Sequence, residues 1–186
     1  MLYDITLEIT PDMIRSAGKE ESKALSGHIG THFDVMNKTF PLEYTRLSAV
    51  VFDCRNITGR DIEKGDVDIG KVKKGMAVLF CTGFIEKVPY GERAYFKEHP
   101  QLSPSLIDAL LDRKVAIIGI DCGGVRRGKE HTPADQKAAD RGCFIVENLC
   151  NLASLVGKEN VTVNTYPMKV RGITGIPSRV IAETGE

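Results

Sequence analysis

Three short apolar runs constrain the fold of this sequence more than any other feature. They occupy positions 47–53, 76–81 and 115–120, and each has the length of a buried β-strand. The third run is apolar except for one glycine, which is typical of a strand covered on both faces. Between the second and third runs, Ser103 followed by Pro104 predicts the start of a helix. Positions 76–120 therefore predict a β-loop-α-β unit and an α/β fold.

The second half of the chain continues this alternation. Thr132 followed by Pro133 predicts another helix, with Thr132 as its cap and Gly142 at its end. Positions 143–146 predict a strand that carries Glu147 at its carboxyl end. A short helical stretch is expected over 149–155, and the last strands over 161–165 and 178–182. Positions 84–100 show no clear period, so we expect a long surface loop of the kind that covers active sites.

Length and charge exclude several classes of protein. The 186 residues predict one domain spanning positions 1–186. With 25 basic and 25 acidic side chains, the formal net charge is zero, so nucleic acid is not an expected partner. No run is long enough to span a membrane and no signal peptide is evident, so a cytoplasmic location is expected, without a membrane partner. Five cysteines, an odd number without close pairs, predict reduced thiols.

The chemistry concentrates at positions 27–34, where His28, His32 and Asp34 lie close together. Imidazole and carboxylate are ligands that suit zinc or manganese. Two ligands of one metal lie within about 4 Å of each other, whereas four residues of extended strand span about 13 Å. The segment must therefore bend, with Gly30 as the turn and with His32 and Asp34 on one face of a following strand. The alternative is that both histidines bond to backbone in a loop and Asp34 caps a nearby element.

The pattern His28-x-Gly30-Thr31-His32-x-Asp34 resembles the signature H-x-G-T-H-x-D-x-P-x-H of the metal-dependent cyclase family, which includes bacterial kynurenine formamidases and isatin hydrolases. Further similar segments follow in the family's order at 4–6, 81–83, 118–121, 146–152 and 167–182. The resemblance implies an α/β protein of the swivelling β/β/α fold, with a barrel-like mixed sheet flanked by helices. It also implies a homodimer or homotetramer.

The same resemblance implies the site and its reaction. His28, His32, Asp34 and Glu147 match metal ligands, and one divalent ion, zinc or manganese, is expected per chain. The implied activity is hydrolysis of a non-peptide C–N bond in a small-molecule amide, with an arylformamidase acting on N-formylkynurenine in tryptophan catabolism as the leading case. The alternative is a catalytically impaired relative that binds a small molecule or a metal.

Two departures from the family pattern affect the expected catalytic residues. The last histidine of the signature, the acid/base in relatives, falls on Lys38, and the signature's proline falls on Met36. The histidine expected twelve residues before Glu147 falls on Asp135. We therefore expect Lys38 and Asp135 to form an ion pair in the pocket where binuclear relatives hold a second metal, and this ion pair is the reason that at most one divalent ion is expected per chain. A shifted alignment would instead bring His131, one helical turn away, to the site.

Weaker candidates lie outside this pattern. Asp121 ends the strand at 115–120, where it is either a site residue or a turn aspartate that accepts backbone hydrogen bonds. Glu86 and Tyr90 could reach over the pocket, but a solvated loop is the expected setting for both. Arg126 and Arg127 could bind an anion or a partner subunit, although a solvated charge run is expected.

Overall fold

The computed structural model describes residues 1–17, 27–170 and 172–185. Within these ranges the strands are β1 (Leu2–Asp4), β2 (His32–Asp34), β3 (Arg46–Asp53), β4 (Ala77–Cys81), β5 (Ile117–Ile120), β6 (Phe144–Glu147), β7 (Val161–Pro167) and β8 (Gly175–Thr184). The α-helices are α1 (Pro11–Ala17), α2 (Arg93–Glu98), α3 (Pro104–Asp112) and α4 (His131–Asp140). Short 3-10 turns, including Leu152–Leu155, connect several of them.

The strands form one mixed sheet that closes on itself. Its order is β1-β8-β2-β6-β5-β4-β3-β7, and β7 also pairs with β8, so β2 to β8 make a ring of seven strands. β3, β4, β5 and β6 run parallel to one another, whereas the pairs that involve β2, β7 and β8 are antiparallel. The long strand β8 carries β1 and β2 on one edge and β7 on the other. The expected barrel-like mixed sheet is confirmed.

Alternation of side chains along the strands separates two apolar cores. Leu79 of β4 points into the ring, where it joins a core that includes Phe33, Phe144 and Val163. Its neighbour Phe80 points outward and joins the second core, which packs the outer face of the sheet against helix α3. Because both faces of β4, β5 and β6 are covered, these strands are buried throughout. This explains why their sequences are almost uninterrupted apolar runs.

The β-loop-α-β unit predicted over 76–120 is confirmed. The Ser103 side chain accepts a hydrogen bond from the Leu106 N–H, and Pro104 occupies the first turn of α3. β4 and β5 are parallel neighbours, with Leu79 opposite Gly119. This unit places the carboxyl ends of both strands at the same edge of the sheet.

Two local predictions were wrong. The stretch 84–100, expected to be a long surface loop, contains α2, whose Tyr95 is completely buried, because aromatic contacts rather than a helical period stabilise this short helix. Helix α4 begins at His131 rather than after Thr132, and its cap residue Glu130 makes no side-chain capping hydrogen bond. Thr132 therefore lies inside the first turn together with Pro133.

The five cysteines are all free, as predicted, and four of them are buried. Of the helices formed by residues 1–17, 27–170 and 172–185, none has the length and apolar character that crossing a bilayer requires.

Candidate metal centre

The chain bends between His28 and His32, as the ligand geometry requires. Gly30 has a φ of +61°, and a Cβ atom there would lie 2.7 Å from Cγ1 of Ile9. The backbone conformation and the close approach therefore both favour glycine. Strand β2 begins two residues later at His32. The predicted turn at Gly30 is confirmed.

Strand β2 presents two candidate ligands on one face. His32 and Asp34 flank Phe33, which points into the ring, so both polar side chains lie on the outer face of the sheet. The antiparallel pairing with β6 sets His32 opposite Glu147. This register places Glu147, at the end of β6, next to the histidines.

Three donor atoms converge at the start of β2. Nδ1 of His28 lies 2.9 Å from Nε2 of His32 and 2.9 Å from Oδ1 of Asp34. Nε2 of His32 lies 3.6 Å from the same carboxylate oxygen. The three side chains form a group whose donor atoms can share one metal ion. We call it the first half-site.

The other ring nitrogen of each histidine has a separate partner. Nε2 of His28 lies 2.8 Å from Oγ1 of Thr174, and Nδ1 of His32 lies 2.9 Å from the carbonyl oxygen of Gly30. When Nε2 of His28 and Nδ1 of His32 each donate an N–H hydrogen bond to these partners, the other ring nitrogens keep their lone pairs. These nitrogens, Nδ1 of His28 and Nε2 of His32, face each other. Such partners are what fix a metal-binding tautomer.

A second group of donors adjoins the first and shares Asp34. It adds His131 and Asp135 from helix α4 and Glu147 from β6. Nε2 of His131 lies 3.2 Å from Oδ2 of Asp135 and 3.2 Å from Oε1 of Glu147. We call this group of four the second half-site. The alternative prediction, in which a shifted alignment brings His131 to the site, is therefore confirmed. Asp135 lies beside His131.

The carboxylates of the cluster fit a cation. Asp34, Asp135 and Glu147 are between 1 and 4 % exposed. Within the described residues, both side-chain oxygens of Asp34, Oδ1 of Asp135 and Oε1 of Glu147 lack a hydrogen-bond partner. Buried, unpartnered carboxylate oxygens are costly unless they coordinate a metal. Together with three imidazoles, they are a donor set suited to zinc or manganese.

The carboxylates also shift the pKa values of the histidines. Burial alone would lower the pKa of His32, but Asp34 and Glu147 raise it to about 9. Burial opposes protonation of His131 as well, yet Glu147 and Asp135 raise its pKa to about 10. Burial and the neighbouring carboxylates raise the pKa values of Asp135 and Glu147. All four shifts favour protonation, so the crowded carboxylates favour added positive charge among them, whether a proton or a cation.

A cavity of about 350 Å³ opens onto this cluster. Beyond the ligand candidates, its lining comprises Met36, Tyr90, Phe96, Gly123, Thr132, Asn148 and Thr174. The hydroxyl oxygen of Tyr90 accepts a hydrogen bond from the Gly30 N–H at 3.1 Å, so the expectation of a solvated Tyr90 was wrong. Sequence reasoning missed Phe96. The signal available in the sequence was the close spacing of three aromatic residues, Tyr90, Tyr95 and Phe96, whose rings contact one another in the structure.

Hydrogen bonds fix both the N–H and the carbonyl group of Gly30. Nδ2 of Asn148 donates to the Gly30 carbonyl at 2.8 Å, and the Tyr95 hydroxyl donates to Oδ1 of Asn148 at 2.8 Å. Thr31 donates through its hydroxyl to the Asn148 carbonyl at 2.7 Å. These buried contacts connect the bend between the two histidines to the residue that follows Glu147.

The expected ion pair between Lys38 and Asp135 was wrong. Nζ of Lys38 lies 2.7 Å from Oδ1 of Asp140, and its side chain is 38 % exposed. The cause is the turn after β2, where Met36 adopts a φ of +54°. Proline, which the family signature has at this position, cannot adopt that value. The turn directs Lys38 to the end of helix α4, away from the carboxylates of the cluster.

The weaker candidates lie outside the cluster. Asp121 is fully buried and accepts hydrogen bonds from the backbone N–H groups of Thr82 and Gly83, which confirms the turn interpretation. Burial raises its pKa to about 6 despite these donors. Arg126 is 9 % exposed and pairs with Asp61 and Glu130, so a solvated setting was wrong for this residue.

Comparison with known proteins identifies the family. Residues 3–126, two thirds of the chain, match the Cyclase family, whose description reads "Putative cyclase". The chain belongs to the cyclase family. The match ends before α4 and β6, so it covers His28, His32 and Asp34 but not His131, Asp135 or Glu147. No curated protein matches this cyclase-family chain significantly.

Solved structures share the fold across the whole cyclase-family chain. A potential metal-dependent hydrolase with cyclase activity is 24 % identical, with a TM-score of 0.77 over 100 % of this chain and 98 % of that one. A predicted metal-dependent hydrolase from Bacillus stearothermophilus is 22 % identical, with a TM-score of 0.71 over 98 % and 97 %. Isatin hydrolase A from Labrenzia aggregata is 22 % identical, with a TM-score of 0.70 over 86 % and 74 %. At these identities the likeness establishes the fold.

Proposed function

We propose that this protein is a metal-dependent hydrolase that cleaves a non-peptide carbon–nitrogen bond in a small amide. The observation that carries the proposal is the cluster itself. Imidazole nitrogens and buried carboxylate oxygens without hydrogen-bond partners among the described residues converge at a cavity of about 350 Å³. A cavity of this size accommodates a small molecule rather than a folded chain.

The residues of the site have separable roles in this proposal. His28, His32 and Asp34 would hold a divalent cation, zinc or manganese, with Thr174 and Gly30 fixing the ring orientations. When bound, the cation supplies Lewis acidity, which polarises an amide carbonyl and makes a water molecule acidic near neutral pH.

The lining of the cavity supports an aromatic substrate. The rings of Tyr90 and Phe96 lie 5.7 Å apart at 71°, and both face the cavity. Aromatic rings favour edge and offset contacts of this kind with a flat ligand. We therefore infer an N-formyl aromatic amine as the substrate class, with N-formylkynurenine, and thus tryptophan catabolism, as the leading case. The proteins of the same fold include isatin hydrolases, and this is consistent with an aromatic substrate.

The experiment is a hydrolysis assay with N-formylkynurenine and isatin, using protein loaded with zinc or manganese and protein treated with a chelator. We expect turnover that disappears with the chelator and returns with metal. His32→Ala should lower kcat/KM by ~100-fold or more, because it removes a ligand. Gln136→Ala is the matched control, because Gln136 is a partly buried residue of α4 whose side chain bonds to Asn37 and Asp140 rather than to the cluster. Turnover that survives both metal removal and His32→Ala would contradict the proposal.

One observation favours a second candidate, a binding protein without turnover. The position that holds the acid/base histidine in the family signature carries Lys38, and its ammonium group is bound to Asp140. Under this candidate, calorimetry of the metal-loaded protein detects binding of N-formylkynurenine, but no product forms. Lys38→His, together with Asp135→His, should then create activity. Turnover by the unaltered protein excludes this candidate.

A further inference from the structure

Another cavity, of about 280 Å³, lies between the first turns of helices α3 and α4. Further along the helices, two ion pairs connect them side by side: Asp108 with Lys137, and Asp112 with Arg141. One turn earlier, the corresponding residues are Pro104 and Pro133, which cannot form an ion pair, and both line the cavity. The two helices therefore leave an open groove at their amino-terminal ends, which we call the α3–α4 groove.

Apolar and cationic side chains line the α3–α4 groove. The apolar part comprises Ile107, which is buried, and Ala134, together with the two prolines. The charged lining residues are three cations and one anion: Arg126, Lys129, Lys137 and Glu130. Lys129 has no ion-pair partner among residues 1–17, 27–170 and 172–185. A lining of this composition favours a small anion that carries an apolar body.

Arg126 is the buried cation of the groove, with 10 % of its side chain exposed. Its Nη1 donates to Oδ2 of Asp61 and to the Leu102 carbonyl oxygen, which fixes one side of the guanidinium group. On the other side, Nε and Nη2 both donate to a single oxygen, Oε2 of Glu130. Arginine forms its strong, directional pairs with carboxylates when two N–H groups meet two oxygens. Glu130 therefore occupies this side of Arg126 without the two-oxygen geometry.

Glu130 can leave Arg126 at little cost. Its side chain is 64 % exposed, so water replaces the guanidinium group as its partner. An ion pair with such an exposed member contributes little to stability. Although Glu130 is the cap residue of α4, its side chain makes no capping hydrogen bond, so the start of the helix does not depend on it. A carboxylate that enters the groove can thus take the place of Glu130 on Nε and Nη2 of Arg126.

We propose that the α3–α4 groove is a binding site for a small monocarboxylate with an apolar body, such as an aromatic acid. Arg126 binds both carboxylate oxygens, Glu130 turns to solvent, and the apolar body packs on Ile107 and Ala134. A volume of about 280 Å³ suits a free small molecule rather than a segment of another protein. The groove shares no lining residue with the cavity of the candidate metal centre, and the inference does not depend on hydrolysis of an amide.

The test titrates the zinc-loaded, full-length protein with benzoate and follows the backbone amide signals by NMR. We expect saturable shifts at residues 105–107 and 126–137, with a Kd of about 1 mM or tighter. Two related probes separate the contributions of charge and of apolar surface. Benzamide lacks the charge and acetate lacks the ring, so each should bind ~10-fold more weakly than benzoate.

Three variants test the assigned roles. Glu130→Ala should bind benzoate ~3- to 10-fold more tightly, because it removes the carboxylate that competes for Arg126. Ala134→Leu, which fills the groove, should weaken benzoate binding by ~10-fold or more. Gln136→Ala lies on α4 outside the groove lining and should bind benzoate as the unaltered protein does. Circular dichroism establishes whether each variant folds, and Glu130→Gln replaces Glu130→Ala if the latter does not.

Four results would overturn the inference. Benzoate may produce no saturable shifts in the groove, or shifts only at residues 28–34, which would place it at the candidate metal centre. Benzamide that binds as tightly as benzoate would remove the role of charge. Benzoate affinity that does not rise in the Glu130 variant would refute displacement of this side chain. Benzoate that dissociates a dimer, measured by size-exclusion chromatography, would show that a second copy of the chain fills the groove instead.

Discussion

At the scale of single residues, the candidate centre depends on side chains that never contact a metal. Asn148 adopts a φ of +57° directly after Glu147, and its amide reaches across to the Gly30 carbonyl. That carbonyl is also the partner of His32 Nδ1. Asn148 therefore fixes the acceptor that orients a candidate ligand. Partners of this kind change metal affinity although they lie outside the coordination shell.

Asn148→Gly tests this role. Glycine accepts the positive φ, so the substitution removes the side chain without straining the backbone. We expect zinc affinity, measured by competition with a chromophoric chelator, to fall ~10- to 100-fold. Asn160→Gly is the matched control, because Asn160 also has a positive φ, of 53°, but is an exposed residue of the turn before β7 and does not belong to the cluster. Equal zinc affinities in the two variants would refute the role assigned to Asn148.

At the scale of elements, strand β5 shows how closely the interior of the ring is packed. Gly119 is its only residue without a side chain, and the space beside it is filled by neighbouring strands and turns. A Cβ atom there would lie 2.6 Å from Cδ2 of Leu79 and 2.8 Å from Cδ1 of Leu149. The glycine thus permits β4 and the segment after β6 to pack against β5.

Gly119→Ala should therefore overpack the core. We expect the free energy of unfolding to fall by about 1 to 3 kcal/mol, measured by urea denaturation. Gly65→Ala is the control, since a Cβ atom at position 65 would have no neighbour within 4 Å. An equal free energy of unfolding in both variants would show that the interior around β5 adapts to an extra methyl group.

The elements that were predicted correctly are marked by short patterns in their own sequence. The strands at 47–53, 76–81 and 115–120 follow from apolar runs, and α3 follows from the Ser103 cap and Pro104. The cluster was only partly predictable. The positive φ of Met36, which redirects Lys38, has no local sequence signal, and the arrival of His131 depends on how α4 docks on the sheet. Six-residue α2 is too short to show a helical period.

At the scale of the whole molecule, stability should depend on pH through a histidine outside the cluster. His99 is 1 % exposed, and its Nδ1 lies 2.8 Å from the Pro100 carbonyl oxygen. Its Nε2 has no hydrogen-bond partner among the described residues. Burial lowers the pKa of His99 to about 4. The neutral ring is therefore favoured in the folded protein.

The unfolded chain, with a histidine pKa of about 6.5, binds the proton more readily between pH 6.5 and 4. His99 thus lowers stability as the pH falls through this window, by about 2 to 3 kcal/mol between pH 7.5 and 4.5. In His99→Asn, whose amide can replace the Nδ1–H donor, this part of the pH dependence should disappear. Urea denaturation of both proteins at the two pH values measures the difference. Identical pH dependence in both would refute the assignment.

Strand β8 closes the ring, and its first residues also support the centre. His32 pairs with Pro177, and a Cβ atom at Gly175 would lie 2.9 Å from Cγ of His28. Two segments that are distant in the sequence, 28–32 and 175–177, must therefore meet before either histidine has its final surroundings. Contacts between such distant segments form slowly. We expect metal capture to be a late event in folding, so that a freshly synthesised chain competes for cations only after β8 is in place.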